Sequence, residues 1–293
     1  MHKYLRSVGF SKIQSQKQLQ ELIAEVIQSS TEKMYTDFGN DIIFAEFNKD
    51  FAENIGIGVR GVFEEDKFIY NYYFPYFKGC GITSEEDVSI ERHAEKESYA
   101  GICDDIKVGV TLIFYLQNIV DYIKIKNANM LPARGTTLTL SGLSCQGTIM
   151  MPIVKNEKEK QKINKISNNR NHLIAAARKG DEEAIENLTL EDMDTYTSIS
   201  KKIQKEDVFS LVDTYFMPYG VECDQYSVLG EIREVRCLKN KLTKEKIYHM
   251  SINCNELNFD ICINKNDLFG EPEVGRRFKG VLWMQGFINF PII

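Results

Sequence analysis

From Asp41 to Pro152 one strand-like run follows another with almost no helical periodicity between them, and this pattern restricts the fold more than any other feature of the chain. The runs are Asp41–Phe47, Ile55–Phe63, Lys67–Phe77, Val88–Glu95, Val108–Leu116, Thr136–Leu140 and Gln146–Pro152. The second and third are joined by the polar turn Glu64-Glu65-Asp66, as in a hairpin. Parallel neighbours need a long crossover, usually a helix. A segment short of such helices is read as a mostly antiparallel sheet. Gly135, Gly142 and Gly147 mark turns or close approaches, and Tyr115–Lys124 also suits the start of a helix. One helix is expected in front of the sheet: Leu19, Leu22, Ile23, Val26 and Ile27 recur at helical spacing, and Ser15 with Gln18 forms a capping box.

Composition changes abruptly at Lys155–Asn171, where Lys, Glu, Asn and Gln dominate, as in a solvated connector. Helical patterns follow over Asn168–Lys179, Asp181–Leu188, Glu191–Ile203 and Glu206–Tyr215, with Gly180 as a stop. Strand-like runs return at Tyr226–Leu238, Lys246–Asn253, Leu257–Asn264 and Phe278–Ile288, separated by a turn at Asn240–Thr243 and a link at Asn266–Gly275. Closely spaced strands of this kind predict a small β-barrel, OB-like by fold-level analogy. The expectation is therefore an α+β chain: residues 1–153 as an antiparallel-sheet domain with an N-terminal helix, 154–224 as linker and helical connector, and 225–293 as the barrel.

The net charge of −6 speaks against a protein that binds by neutralising many phosphates. Seven cysteines, an odd number with no CxxC pair, read as reduced thiols buried as small apolar groups. Met1-His2-Lys3-Tyr4-Leu5-Arg6 has no apolar run of signal-peptide type, and Val108–Ile123 is interrupted by Gln117, Asn118 and Asp121, so a cytoplasmic setting without membrane anchorage is expected.

Five patterns bear on chemistry. Gly56-Ile57-Gly58-Val59-Arg60-Gly61 matches GxGxxG, but no helix follows to meet a pyrophosphate, so the glycines read as close packing within a strand. Gly270–Arg277 has P-loop glycine spacing without the Lys-Ser/Thr pair that phosphate and magnesium require. Phe68, Tyr70, Tyr72, Phe74 and Tyr76 alternate as a stacking face would, yet Ile69, Tyr73 and Phe77 are apolar too, which favours burial on both sides. Glu91, His93, Glu95 and Glu97 also alternate, with Asp104 and Asp105 close behind. As one strand face they could hold a divalent ion or poise a base, although Arg92 and Lys96 interleave as on a solvated surface. Leu173–Asp181 resembles half of an ankyrin-type repeat with no second copy, and reads as a lone packing unit. His2, His172 and His249 have no partners at informative spacing.

The segments MHKYLRSVGFSK, SIERHAEKESYAGICDDIKVGVTLIFYLQN, AARKGDEEAIENLTLEDMD and GEPEVGRRFKGVLWMQGFI together resemble a family of clostridial-type Firmicutes proteins classed as a domain of unknown function, over nearly the whole chain. The resemblance implies a bacterial, cytoplasmic protein and assigns no activity, cofactor or catalytic residue.

Three functions follow in order. The first is a non-enzymatic binding or regulatory protein presenting a surface to a small ligand or a protein partner; a deep pocket lined by acids and His would count against it. The second is a metal-assisted hydrolase using Glu91, His93, Glu95 and Asp104. The third is single-stranded nucleic-acid binding by the barrel, whose basic and aromatic face would include Arg233, Arg236, Lys239, Arg276, Arg277, Lys279, Trp283 and Phe287; the acidic whole chain opposes it.

Overall fold

A computed structural model describes residues 1–39, 42–65, 67–92, 98–105, 107–132, 135–153, 169–170, 172–203 and 212–291. The chain opens with a 3-10 helix, Lys3–Val8, and then α1, Gln16–Gln28. The capping box at the start of α1 is complete: Gln18 N–H donates to Ser15 Oγ, and the Gln18 side chain accepts from the Ser15 N–H. Leu19, Leu22 and Val26 form its buried stripe.

The first sheet is an antiparallel meander of β1 (Glu32–Asp37), β2 (Ile43–Ala52), β3 (Ile55–Glu64) and β4 (Lys67–Phe77). The glycines of the GxGxxG pattern lie inside β3 and make room for rings of β4. A Cβ on Gly56 would meet the Tyr76 hydroxyl at 2.5 Å, one on Gly58 the Phe74 ring at 2.4 Å, and one on Gly61 the Phe68 ring at 2.6 Å. An aromatic ring laid over a strand glycine is a device for fixing register.

The second sheet holds β5 (Val88–Arg92), β6 (Tyr99–Cys103), β7 (Leu112–Leu116), β8 (Thr137–Met150), β9 (Tyr215–Pro218), β10 (Gln225–Lys239), β11 (Lys246–Cys254), β12 (Leu257–Asn264), β13 (Leu268–Phe269) and β14 (Arg277–Asn289). Five of these close on themselves in the order β8-β12-β11-β10-β14-β8. Only β8 and β12 run parallel in that circuit. The circuit is that of an OB barrel whose fifth strand comes first in the chain. Phe259, Ile261 and Ile263 of β12 point into the barrel with Met250, Ile252, Phe278 and Leu282, and this core continues beneath β6, β7 and α2 (Ile119–Asn127). A second core lies between the barrel's outer wall, the first sheet and α1, and contains Tyr4, Leu5, Val8, Phe74, Leu143, Cys262 and Trp283.

Several expectations are revised. Thr136–Leu140 and Gln146–Pro152 are one continuous strand, β8, because Gly142 and Gly147 admit neighbours instead of turning: a Cβ on Gly147 would lie 2.4 Å from the Phe278 ring. The strand expected from Val108 begins at Leu112, and the one expected from Val88 is described only as far as Arg92. Tyr215 opens β9 rather than ending a helix, since it pairs with Leu229 of β10. The patterns at Asp181–Leu188 and Glu191–Ile203 are a single helix, α3, Glu182–Ile203. The connector at 154–168 lies outside the described residues. Strand pairing also crosses the boundary expected at Ile153, because β8 pairs with β12, β13 and β14. Among the described residues no helix is long and apolar enough to cross a membrane.

Candidate ligand-binding cleft

A cleft of about 830 Å³ opens where the first sheet, the N-terminal segment and the barrel meet. Its wall is aromatic, formed by Tyr4, Tyr72, Tyr73, Phe74, Tyr115 and Trp283. Asn71, Ser98, Gln225, Glu222, Asp224, His2 and Lys3 bring polar groups to it.

Each element delivers its residues for a local reason. The 3-10 helix is locked by Ser7 Oγ, which donates to Ser144 O at 2.7 Å, and stopped by Gly9 at φ 86°. That geometry brings Tyr4 onto Trp283, their ring centroids 5.3 Å apart and nearly parallel. Trp283 stands on β14, directly opposite Gln225 of β10, and its Nε1–H donates to Asp224 Oδ2 at 2.6 Å. The carbonyl of Asp224 accepts from Met284 N–H at 2.9 Å, so the turn before β10 is fixed to β14 at two points. The backbone N–H of His2 donates to the Tyr73 hydroxyl at 2.7 Å, and the His2 ring lies 4.8 Å from the indole. Lys3 Nζ donates to Gln225 Oε1 at 3.1 Å.

Behind the wall is a buried ion pair. Arg60 of β3 is fully buried and faces Glu46 of β2 and Tyr72 of β4 across the sheet. Its Nε donates to Glu46 Oε2 at 2.5 Å, its Nη1 to the hydroxyls of Tyr72 at 2.9 Å and Tyr115 at 2.6 Å, and its Nη2 to Gln117 O at 2.6 Å. One guanidinium thus spans β2, β3, β4 and the end of β7, and sets two cleft tyrosines. Burial works against its charge, but Glu46 and the tyrosine oxygens outweigh it and hold Arg60 above the ordinary arginine pKa. Burial also raises Tyr4, next to Asp224 and Glu222, and raises Tyr115 well above the usual phenol range despite Arg60. Tyr73 is raised by burial and partly offset by the His2 N–H. These phenols stay neutral near pH 7, so the wall offers hydroxyls rather than phenolates.

The chain matches a family model described as domain of unknown function, E. rectale gene description (DUF3881), over residues 5–286. The chain belongs to this family. No curated protein and no solved structure matches it. The DUF3881 match covers both sheets except the last residues of β14; the cleft residues from Asn71 to Trp283 lie within it, and His2, Lys3 and Tyr4 precede it.

The residues singled out in the sequence are dispersed. Glu91 is exposed on β5 opposite Ala100, while His93, Glu95 and Glu97 lie outside the described residues. Asp104 is exposed and accepts from Thr111 Oγ1 at 2.6 Å; Asp105 is buried and accepts from Ser84 Oγ at 2.6 Å. Among the described residues no three His, Cys, Asp or Glu side chains are grouped as metal ligands. On the proposed basic face, Arg277 is buried and donates to the carbonyls of Met151 and Val212, and burial lowers its pKa. Arg276 is tied to Glu273 at 2.9 Å and to Glu271 O, which closes the loop before β14. Lys279 is half-buried on β14. Trp283 alone of that set lines the cleft.

Sequence reasoning missed His2, Tyr4, Arg60, Glu46 and Asp224. A signal existed for two of them: Glu46 interrupts the apolar run from Ile42 to Phe47 and Arg60 the one from Ile55 to Phe63, and such charges are rarely buried unless paired. Nothing in the spacing of His2, Tyr4 and Asp224 points to a shared site.

Proposed function

We propose that the chain is a cytoplasmic, non-enzymatic binding protein whose ligand site is the aromatic cleft. The observation that carries this reading is that the polar tips of the wall are already tied down: Tyr72 and Tyr115 by Arg60, Tyr73 by the His2 backbone and Trp283 by Asp224. A wall held in place before binding avoids the entropy of ordering it afterwards. A concave, mainly apolar site of several hundred Å³ with a few placed polar groups is what small-molecule recognition requires.

Native mass spectrometry and thermal-shift screening of the purified full chain against small polar molecules tests the reading, with Asn71→Trp at the exposed rim as the blocking variant. Binding to the native state raises its apparent stability, and that gain is expected to disappear in Asn71→Trp. Hits that survive the substitution would sink the proposal.

A second reading has its own observation. Glu222, Asp224 and His2 reach the same cleft, and an acid-and-imidazole lining is the feature that counts against passive binding; Asp224 already accepts from the Trp283 indole as part of the fixed wall, which keeps the binding reading first. It requires turnover: a bound molecule recovered chemically unchanged after prolonged incubation excludes it for that molecule. The nucleic-acid reading loses Arg277 to internal hydrogen bonds.

A further inference from the structure

We propose that the cleft selects organic cations, specifically an ammonium head that is methylated or otherwise weakly hydrated, carried on a larger polar body. The inference rests on the reading of the cleft as the ligand site. Tyr4, Tyr73, Tyr115 and Trp283 line one cavity. The faces of such rings carry the negative end of the aromatic quadrupole and attract cations within about 6 Å, Trp most strongly.

The chain already places an ammonium on this wall. Lys3 Nζ lies 5.0 Å from the Tyr4 ring centroid while it donates to Gln225. Two carboxylates, Glu222 and Asp224, stand on the adjoining turn, and Asp224 is fixed by the indole of the same wall. Arg60, behind the rings, has its guanidinium carbon 4.3 Å from the Phe74 centroid and 5.4 Å from that of Tyr115, and is matched at 2.5 Å by Glu46. The net charge of −6 adds a long-range field of the same sign as the carboxylates, which raises the local concentration of cations. The cavity exceeds the volume of a trimethylammonium head several times over, and Asn71, Ser98 and Gln225 supply hydrogen-bonding groups for an attached polar body.

Calorimetric titration of the full chain with choline and with its neutral isostere dimethylbutanol tests this. Choline is expected to bind tighter by roughly two- to thirty-fold, the range that cation–π attraction gives between exposed and desolvated sites. The double variant Glu222→Gln/Asp224→Asn should weaken choline binding and leave that of dimethylbutanol unchanged, while keeping an acceptor for the indole N–H. Equal binding of the two compounds, both lost in Asn71→Trp, would overturn cation selectivity and leave the cleft as a ligand site. Absence of choline binding at millimolar concentration would likewise overturn it. Choline binding that persists in Asn71→Trp would place the site elsewhere and remove both readings.

Discussion

Replacing either member of the buried Arg60–Glu46 pair should destabilise the fold more than almost any other single polar substitution. Arg60 is 0% and Glu46 1% exposed, and the guanidinium makes four hydrogen bonds, to Glu46, Tyr72, Tyr115 and Gln117 O. Arg60→Met conserves much of the volume but leaves a buried carboxylate without its counter-ion and three acceptors without their donor. Breaking a buried pair from one side costs about 3–5 kcal/mol. Glu46→Leu leaves the opposite charge stranded and falls in the same range, whereas Arg60→Met/Glu46→Leu should cost less than the sum of its parts, because neither charge then remains. Urea unfolding of the four proteins gives the coupling energy directly, provided that the transition is two-state with a constant slope. The argument reaches the cleft as well: Tyr115 sits 5.2 Å from Trp283, so Arg60→Met should also shift the emission of the chain's single tryptophan under native conditions. A single variant that loses less than about 1 kcal/mol would show that the pair is solvated or replaceable and would refute the reasoning.

Three further outcomes are expected. Gly286→Ala should cost about 1–3 kcal/mol by overpacking, because its Cβ would lie 2.2 Å from the buried Phe114 ring, and Phe114→Leu in the same chain should recover part of that loss; chemical denaturation of the single and double variants decides it. Thiol labelling of the native protein near pH 8 should reach the exposed Cys80, Cys223 and Cys237 well before Cys103 and Cys254, whose thiols burial pushes up to about 11 and about 12, with all seven reacting only after denaturation. Asp121 is raised above the ordinary carboxylate value by burial, against Asn118 and Lys124. A raised folded-state value favours folding below the unfolded pKa, and that contribution is lost as pH rises through the folded one, so Asp121→Asn should raise Tm at pH 7 and lose this advantage below about pH 4.

Local sequence pattern carried much of the fold. α1 announces itself through the Ser15–Gln18 box, and the hairpin of β3 and β4 through Glu64-Glu65-Asp66, because capping and turn chemistry act over a few residues. The pairing of β8 with β12 and β14 left no such trace. Its partners lie more than a hundred residues downstream, and Gly142 and Gly147, which signal turns locally, prove to be seats for Leu282 and Phe278. The same limit applied to the cleft. His2, Tyr73, Asp224 and Trp283 come from four distant segments, brought together by the pairing of β10 with β14 and by the packing of the N-terminal segment and the first sheet against the barrel, so no spacing rule could find them. The alternating Glu91–Glu97 run had the opposite character: it was conspicuous locally, yet Glu91 points to solvent on β5.

The most direct measurement is tryptophan emission together with the stability gain during titration with molecules that stabilise the protein, followed in parallel in the wild-type chain, which reports from Trp283, and in Asn71→Trp/Trp283→Phe, which carries its only tryptophan at the rim. Because Trp283 is the chain's one tryptophan and lines the cleft, saturable binding there should change its intensity or emission maximum at the same midpoint as the stability gain, and the blocked variant should show neither. Ligands that stabilise both proteins equally while leaving Trp283 emission unchanged would contradict the account.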